Sequence, residues 1–106
     1  MVMIFQSEKS RKQLLNKNIV FTFRKVCPEQ RKLGKDWATD KRGGEKIADI
    51  MVFSDGRFIK PIPKLLEPYL LFSGFDSVDD WIDEIKRLNK PDDLIGFTGE
   101  IYCVVN

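Results

Sequence analysis

A chain of 106 residues, 42% hydrophobic and 11% aromatic, has material for one core and no room for separate cofactor and substrate lobes. It contains no histidine, which excludes Ser-His-Asp and Cys-His catalysis, His-containing metal sites and a histidine protonation switch. The net charge of +2 conceals a division: residues 8–46 carry twelve Lys/Arg against five Asp/Glu, and residues 47–106 carry six against eleven. One half of the chain is thereby suited to an anionic partner.

The two cysteines, Cys27 and Cys103, make no Cys-x-x-Cys pair and point to neither a structural zinc nor a secreted disulfide framework. Cys103 lies in an apolar run and reads as a small core residue. Cys27 stands before a proline among basic residues, a setting that can activate a thiol. No apolar run approaches the roughly 18 residues of a membrane span, and the start of the chain lacks a signal-peptide layout, so a cytoplasmic protein is expected.

Residues 2–5 suggest a short first strand, and residues 7–17 a basic helix with Ser7 placed to cap it and Asn18 to end it. Residues 19–24, Ile-Val-Phe-Thr-Phe-Arg, predict a strand. Its period of two sets Ile19, Phe21 and Phe23 on a core face, and Val20, Thr22 and Arg24 on the other. Residues 27–33 read as a charged loop. A hairpin is then expected, with strands over 35–42 and 45–53 joined at Gly43-Gly44. Pairing Arg42 with Glu45 sets Trp37 opposite Ile50, Thr39 opposite Ala48 and Lys41 opposite Lys46. Trp37, Ala48, Ile50 and Val52 become the core stripe. The like-charged lysine pair costs stability that a bound phosphate would relieve.

Asp55-Gly56 marks a second hairpin, whose returning segment, 58–63, is confined to an edge by Pro61 and Pro63. Residues 64–72 suggest a helical turn interrupted at Pro68. Residues 77–88 carry the clearest helix signal: Ser77 to cap it, Asp79 and Asp80 in the first turn, Lys86 and Arg87 in the last. Its apolar stripe is Val78, Trp81, Ile82, Ile85 and Leu88, and Asp79, Asp80, Asp83 and Glu84 form a solvated acidic face. Asp92-Asp93 reads as a loop, and residues 99–105 as a strand inside the sheet. The expected fold is a single α+β domain over 1–106, a small mixed, mostly antiparallel β-barrel whose closure removes exposed edges, with two or three capping helices.

The segment Leu14-Leu15-Asn16-Lys17, followed by Phe21-Thr22-Phe23-Arg24, resembles the opening motif of ASCH domains, in which a helix and short polar turn feed a strand ending in Thr-x-Arg. The stretch from Trp37 to Ile47 resembles the hairpin that follows. Residues 73–81 and 101–105 look like the helix and last strand of small archaeal-type members. The likeness covers roughly residues 12–105. It implies a PUA-like barrel with a cleft lined by the first motif, and RNA or a modified nucleobase as ligand. Some members similar in fold hydrolyse acylated cytidine with a Lys, a Thr and a Glu; here Ile19 stands at the lysine position and no glutamate is placed by motif, so no catalytic residue is assigned.

The reading favoured by both lines is an RNA- or nucleotide-binding domain. Its candidate contacts are Thr22, Arg24, Lys25, Lys41, Arg42 and Lys46, whose cations supply salt-sensitive attraction for phosphates. The alternatives are an amidohydrolase acting on an acylated nucleoside, and a protein-interaction module. No cofactor, metal or membrane partner is expected, and a protein partner or homo-oligomer is left open.

Overall fold

The computed structural model describes residues 2–25, 33–90 and 96–106. In chain order the elements are β1 (Val2–Ile4), α1 (Glu8–Lys17), β2 (Ile19–Lys25), β3 (Gly34–Thr39), β4 (Ala48–Phe53), β5 (Phe58–Ile59), α2 (Pro63–Leu66), a 3-10 helix (Glu67–Phe72), α3 (Val78–Asn89) and β6 (Gly99–Val105). All six strands belong to one sheet in the order β1-β3-β4-β6-β2, with β5 beside β6. Among the described strands only β1 and β3 run parallel; the other pairings are antiparallel. The sheet curls strongly into a half-barrel, so the molecule is α+β and barrel-like.

β6 organises this sheet. One edge pairs with β2 along its whole length, Ile19 opposite Val105 through Lys25 opposite Gly99. The other is shared: residues 103–105 pair with β4 and residues 99–100 with β5. The Asp55-Gly56 turn is therefore no hairpin, because β5 returns to β6 rather than to β4. Ser54 Oγ ties that turn to the Glu100 carboxylate and accepts from Gly56 N–H at 3.0 Å. With no room for β5 on β4, the two short strands divide one edge between them.

The sheet buries both faces. Inside the curl, Met3, Phe5, Val20, Ala38, Ile50, Val52, Tyr102 and Val104 pack around Leu14, which α1 drops into the barrel. On the convex side, Phe23 and Ile101 meet Leu66, Phe75, Phe97 and the Trp81, Ile82 and Ile85 face of α3. The expected assignment of one core face and one outer face to β2 is thus incomplete. Val20 and Thr22 are the more deeply buried set, and Ile19 and Phe21 are half-buried. A strand covered on both sides shows no usable alternation.

The β3–β4 hairpin differs from its sequence reading by one register step. Trp37 stands opposite Asp49 and Ala38 opposite Ala48. A one-residue slip exchanges faces: Ala38 and Thr39 are buried, and Trp37, expected in the core, is 36% exposed. The strands stop at Thr39 and resume at Ala48, leaving residues 40–47 as a loop instead of a two-residue turn. Thr39 explains the early exit. Its buried Oγ1 donates to the Glu45 carbonyl at 2.8 Å, and Ile47 N–H reaches the Ala38 carbonyl at 2.8 Å, closing the loop across its neck. Gly43 takes φ +73°, while Gly44 is required by proximity, since a Cβ there would lie 2.7 Å from Thr39 Oγ1. Lys41 and Lys46 are consequently not cross-strand partners, and Lys46 instead pairs with Asp49 at 3.0 Å.

The helices end where their residues dictate. Asn18 closes α1 in the left-handed region at φ 64°, its N–H returning to the Leu14 carbonyl. Ser77 caps α3 by accepting from Asp80 N–H at 3.1 Å. Ser7 occupies the N-cap position of α1 but makes no capping hydrogen bond. Just before α3, Gly74 holds φ +90°, and a Cβ there would run into the Lys9 carbonyl. Only glycine lets the approach to α3 press against the first turn of α1.

Candidate functional site

The edge strands of the curled sheet, β1 and β2, do not pair with each other. Between them, bounded by the β1–α1 turn, the first turn of α1, Phe75 and α3, lies a groove of about 330 Å³. That volume is at the small-molecule end of ligand pockets. One wall is apolar, with Phe75 and Trp81 stacked at 6.1 Å between ring centroids and 9° between planes, followed along α3 by Ile85 and Leu88.

Arg24 spans the seam. Its Nη1 donates to the Ile4 carbonyl at 2.5 Å and its Nε to Thr22 Oγ1 at 3.1 Å, and the guanidinium lies 4.7 Å from the centre of the Phe5 ring. Bidentate use of one guanidinium on a carbonyl and a hydroxyl, with an aromatic face beneath it, fixes its plane. Thr22 Oγ1 is buried and accepts from Arg24, so its own proton remains to be donated. Arg11 Nη1 donates to the Phe5 and Gln6 carbonyls at 2.9 and 3.0 Å, which holds the β1–α1 turn in place.

Ser7, Ser10 and Glu84 line the same groove. Ser7 is 5% exposed and its Oγ, sealed from solvent, has no hydrogen-bond partner. An unsatisfied buried hydroxyl costs about 1–3 kcal/mol, and this one borders the groove. The Glu84 carboxylate is held below the usual carboxylate range, chiefly by its hydrogen bond with Arg87, against which burial acts, and in smaller part by the nearby Ser7 hydroxyl. Ser7 falls outside hydrogen-bond geometry while remaining close enough to favour the charged carboxylate. The groove is therefore lined by the guanidinium of Arg24, the hydroxyls of Thr22 and Ser7 and the ionised carboxylate of Glu84. Lys25, which lines the groove, has its Nζ 5.5 Å from the Phe97 ring centre, and Lys9 Nζ lies 5.7 Å from the centre of the Phe75 ring.

Of the six residues singled out in the sequence, the fold gathers Thr22, Arg24 and Lys25 into this groove. Lys41, Arg42 and Lys46 are exposed on the β3–β4 loop and are not among its lining residues. Cys27 and Asp92-Asp93 lie outside the described residues. Ile19, which the resemblance to ASCH domains would set at a catalytic lysine position, lies in the strand alternation opposite to Thr22 and does not line the groove. Sequence reasoning missed Ser7, Ser10 and Glu84. For Glu84 a signal existed: it stands three residues after Trp81 and one before Ile85, at the border of the apolar stripe rather than opposite to it. For Ser7 there was none, because a serine before a helix reads as a cap.

Among the described residues no group of His, Cys, Asp and Glu could hold a metal ion, and no helix is long and apolar enough to cross a membrane. Comparison of the chain with protein-family models, with curated proteins and with solved structures found no match.

Proposed function

We propose that the groove is a nucleotide site and that the chain is an RNA- or nucleotide-binding domain of PUA-like, ASCH type. The observation that carries this reading is the gathering of the Arg24 guanidinium, the Thr22 and Ser7 hydroxyls and the Glu84 carboxylate around one groove with an apolar wall. An ionised carboxylate inside the groove disfavours a phosphate there, and an all-apolar guest would leave the Ser7 hydroxyl without a partner. A nucleobase meets both demands, since its flat apolar body suits the wall of Phe75, Trp81, Ile85 and Leu88 and its edge carries donors and acceptors together. Its phosphate then points outward toward Lys9 and Lys25, where the attraction is exposed and screened by salt.

Trp81 borders the groove and gives the test its signal. Titration of the protein with mononucleotides and with short single-stranded RNA at low salt should change tryptophan fluorescence saturably. Thr22→Val, which removes a donor at nearly constant volume, should weaken the interaction several-fold while leaving the circular dichroism spectrum unchanged. Absence of any saturable response to either ligand overturns the proposal.

A further inference from the structure

Three of the four acids on α3 sit where a surface helix puts them: Asp79, Asp80 and Asp83 are exposed. Glu84 is not. Its side chain is 18% exposed against 63% for its partner Arg87, because position 84 shares a helix face with Trp81, Ile85 and Leu88. All four line the groove, and Glu84 is the single acid among its described lining residues. An ionised carboxylate has about four acceptor positions. Arg87 Nε takes one, at Oε1, and the nearby Ser7 Oγ takes none.

What this carboxylate demands of a ligand follows from its chemistry. It accepts and never donates, and its two oxygens are matched best by two parallel N–H groups. The bases differ on this point. Guanine sets N1–H and the N2 amino group side by side on its Watson–Crick edge. Adenine and cytosine set one amino group beside a ring-nitrogen acceptor, and uracil sets one N–H between two carbonyls. Each of those three would turn a lone pair toward the carboxylate and leave it without a donor. A peptide arginine carries the same fork as guanine, but it would bring a third positive charge to a groove already lined by Arg24 and Lys25. Guanine is neutral, and its keto oxygen suits the hydroxyl proton that Thr22 retains.

We infer that the groove selects guanine, and that Glu84 is the residue that specifies it by accepting from N1–H and the N2 amino group. The inference rests on the proposed nucleotide site and names the base which that site takes. Selection comes as much from rejection as from attraction, since the same carboxylate that receives guanine's two donors repels the acceptors that the other three bases present there.

Dissociation constants for the nucleoside monophosphates, measured on the whole chain by tryptophan fluorescence, provide the test. Guanosine monophosphate should bind at least about tenfold more tightly than the adenosine, cytidine and uridine compounds, as a bidentate contact to one base allows. Inosine monophosphate, which lacks only the N2 amino group, should lose most of that advantage, and this comparison needs no variant. Glu84→Gln puts an amide donor where an acceptor stood, and should bring guanosine monophosphate down to the level of the others with unchanged circular dichroism. Oligouridylate carrying one guanosine, set against plain oligouridylate, separates two sources of the base: the preference should recur there for a strand reader and be confined to the monophosphates for a reader of free nucleotides. Equal affinities for the four monophosphates overturn the inference and leave the nucleotide site standing. So does inosine binding as tightly as guanosine, or a guanosine preference that survives Glu84→Gln. No saturable response to any nucleotide or RNA removes the site itself, and the inference with it.

Discussion

Arg24 of β2 donates to the backbone carbonyl of Ile4 of β1, and so one side chain bridges the two sheet edges that the backbone leaves unpaired. The same guanidinium faces the groove, which makes it both a strut of the fold and a wall of the site. Removing it should register in both. Hydrogen bonds to a charged donor contribute about 1.5–3 kcal/mol, and Arg24→Ala should lower the unfolding free energy by about that amount in urea titrations. Arg24→Lys retains charge without the fork that reaches Ile4 and Thr22 together, and should fall between the two. Equal midpoints for all three proteins would show that the seam needs no bridge.

Trp81 is buried between Phe75 and the remainder of the convex core. Trp81→Ala should cost about 3–5 kcal/mol, as other large-to-small core substitutions do. A thermal melt unchanged by this substitution would mean that α3 does not depend on the stripe that docks it.

Glu84 gives a dependence on pH. Its pKa in the folded protein is lowered from the ordinary 4.5, first by the Arg87 hydrogen bond. A lowered carboxylate pKa contributes stability at pH values above the unfolded value and loses it as the pH falls through the folded one. The melting temperature of wild type should therefore exceed that of Glu84→Gln near neutrality, and the difference should shrink as pH drops below 4.5. A difference that grows toward acid would reverse the assignment.

The two sets of cations should separate by ligand length. Lys25 lines the groove, whereas Arg42 and Lys46 belong to the β3–β4 loop. Each phosphate contact on a single strand adds about 0.7 to the slope of log affinity against log salt. Lys25→Ala should flatten that slope by about this amount for mononucleotide and RNA alike. The double variant Arg42→Ala, Lys46→Ala should leave mononucleotide binding unchanged and flatten the slope for longer RNA by about one to two. Identical slopes in all proteins would remove phosphate from the account.

What could be read from the sequence was local. The α3 helix, with its Ser77 cap and its Trp81, Ile82 and Ile85 stripe, is determined by residues within two turns of one another. So is the end of α1 at Asn18. The register of β3 on β4 was not, because Thr39 leaves the ladder early to hold the Glu45 carbonyl, and nothing in the run from Trp37 to Arg42 marks that exit. The site was half legible for the same reason. Thr22, Arg24 and Lys25 lie within four residues of one strand, whereas Ser7 and Glu84 join them only through the curl of the sheet and the contact of Gly74 with α1.

The central place of β6 has a consequence for synthesis. The ribosome delivers this strand after every other described element, yet β2 and β5 have their pairing only with it among the described strands, and β4 one of its two edges. Until it emerges, β1, β3 and β4 can form one small sheet while β2 has no strand to join, and the apolar side chains of both, Val20 and Val52 among them, are open to other nascent chains. Completion is then a single late event that fastens both halves at once, and its contacts are long in sequence, from Ile19 to Val105 at the extreme. Such closure is slow relative to helix formation. A chain stalled before Gly99 should accordingly bind chaperones and be cut readily by protease, and release of the final strand should end both.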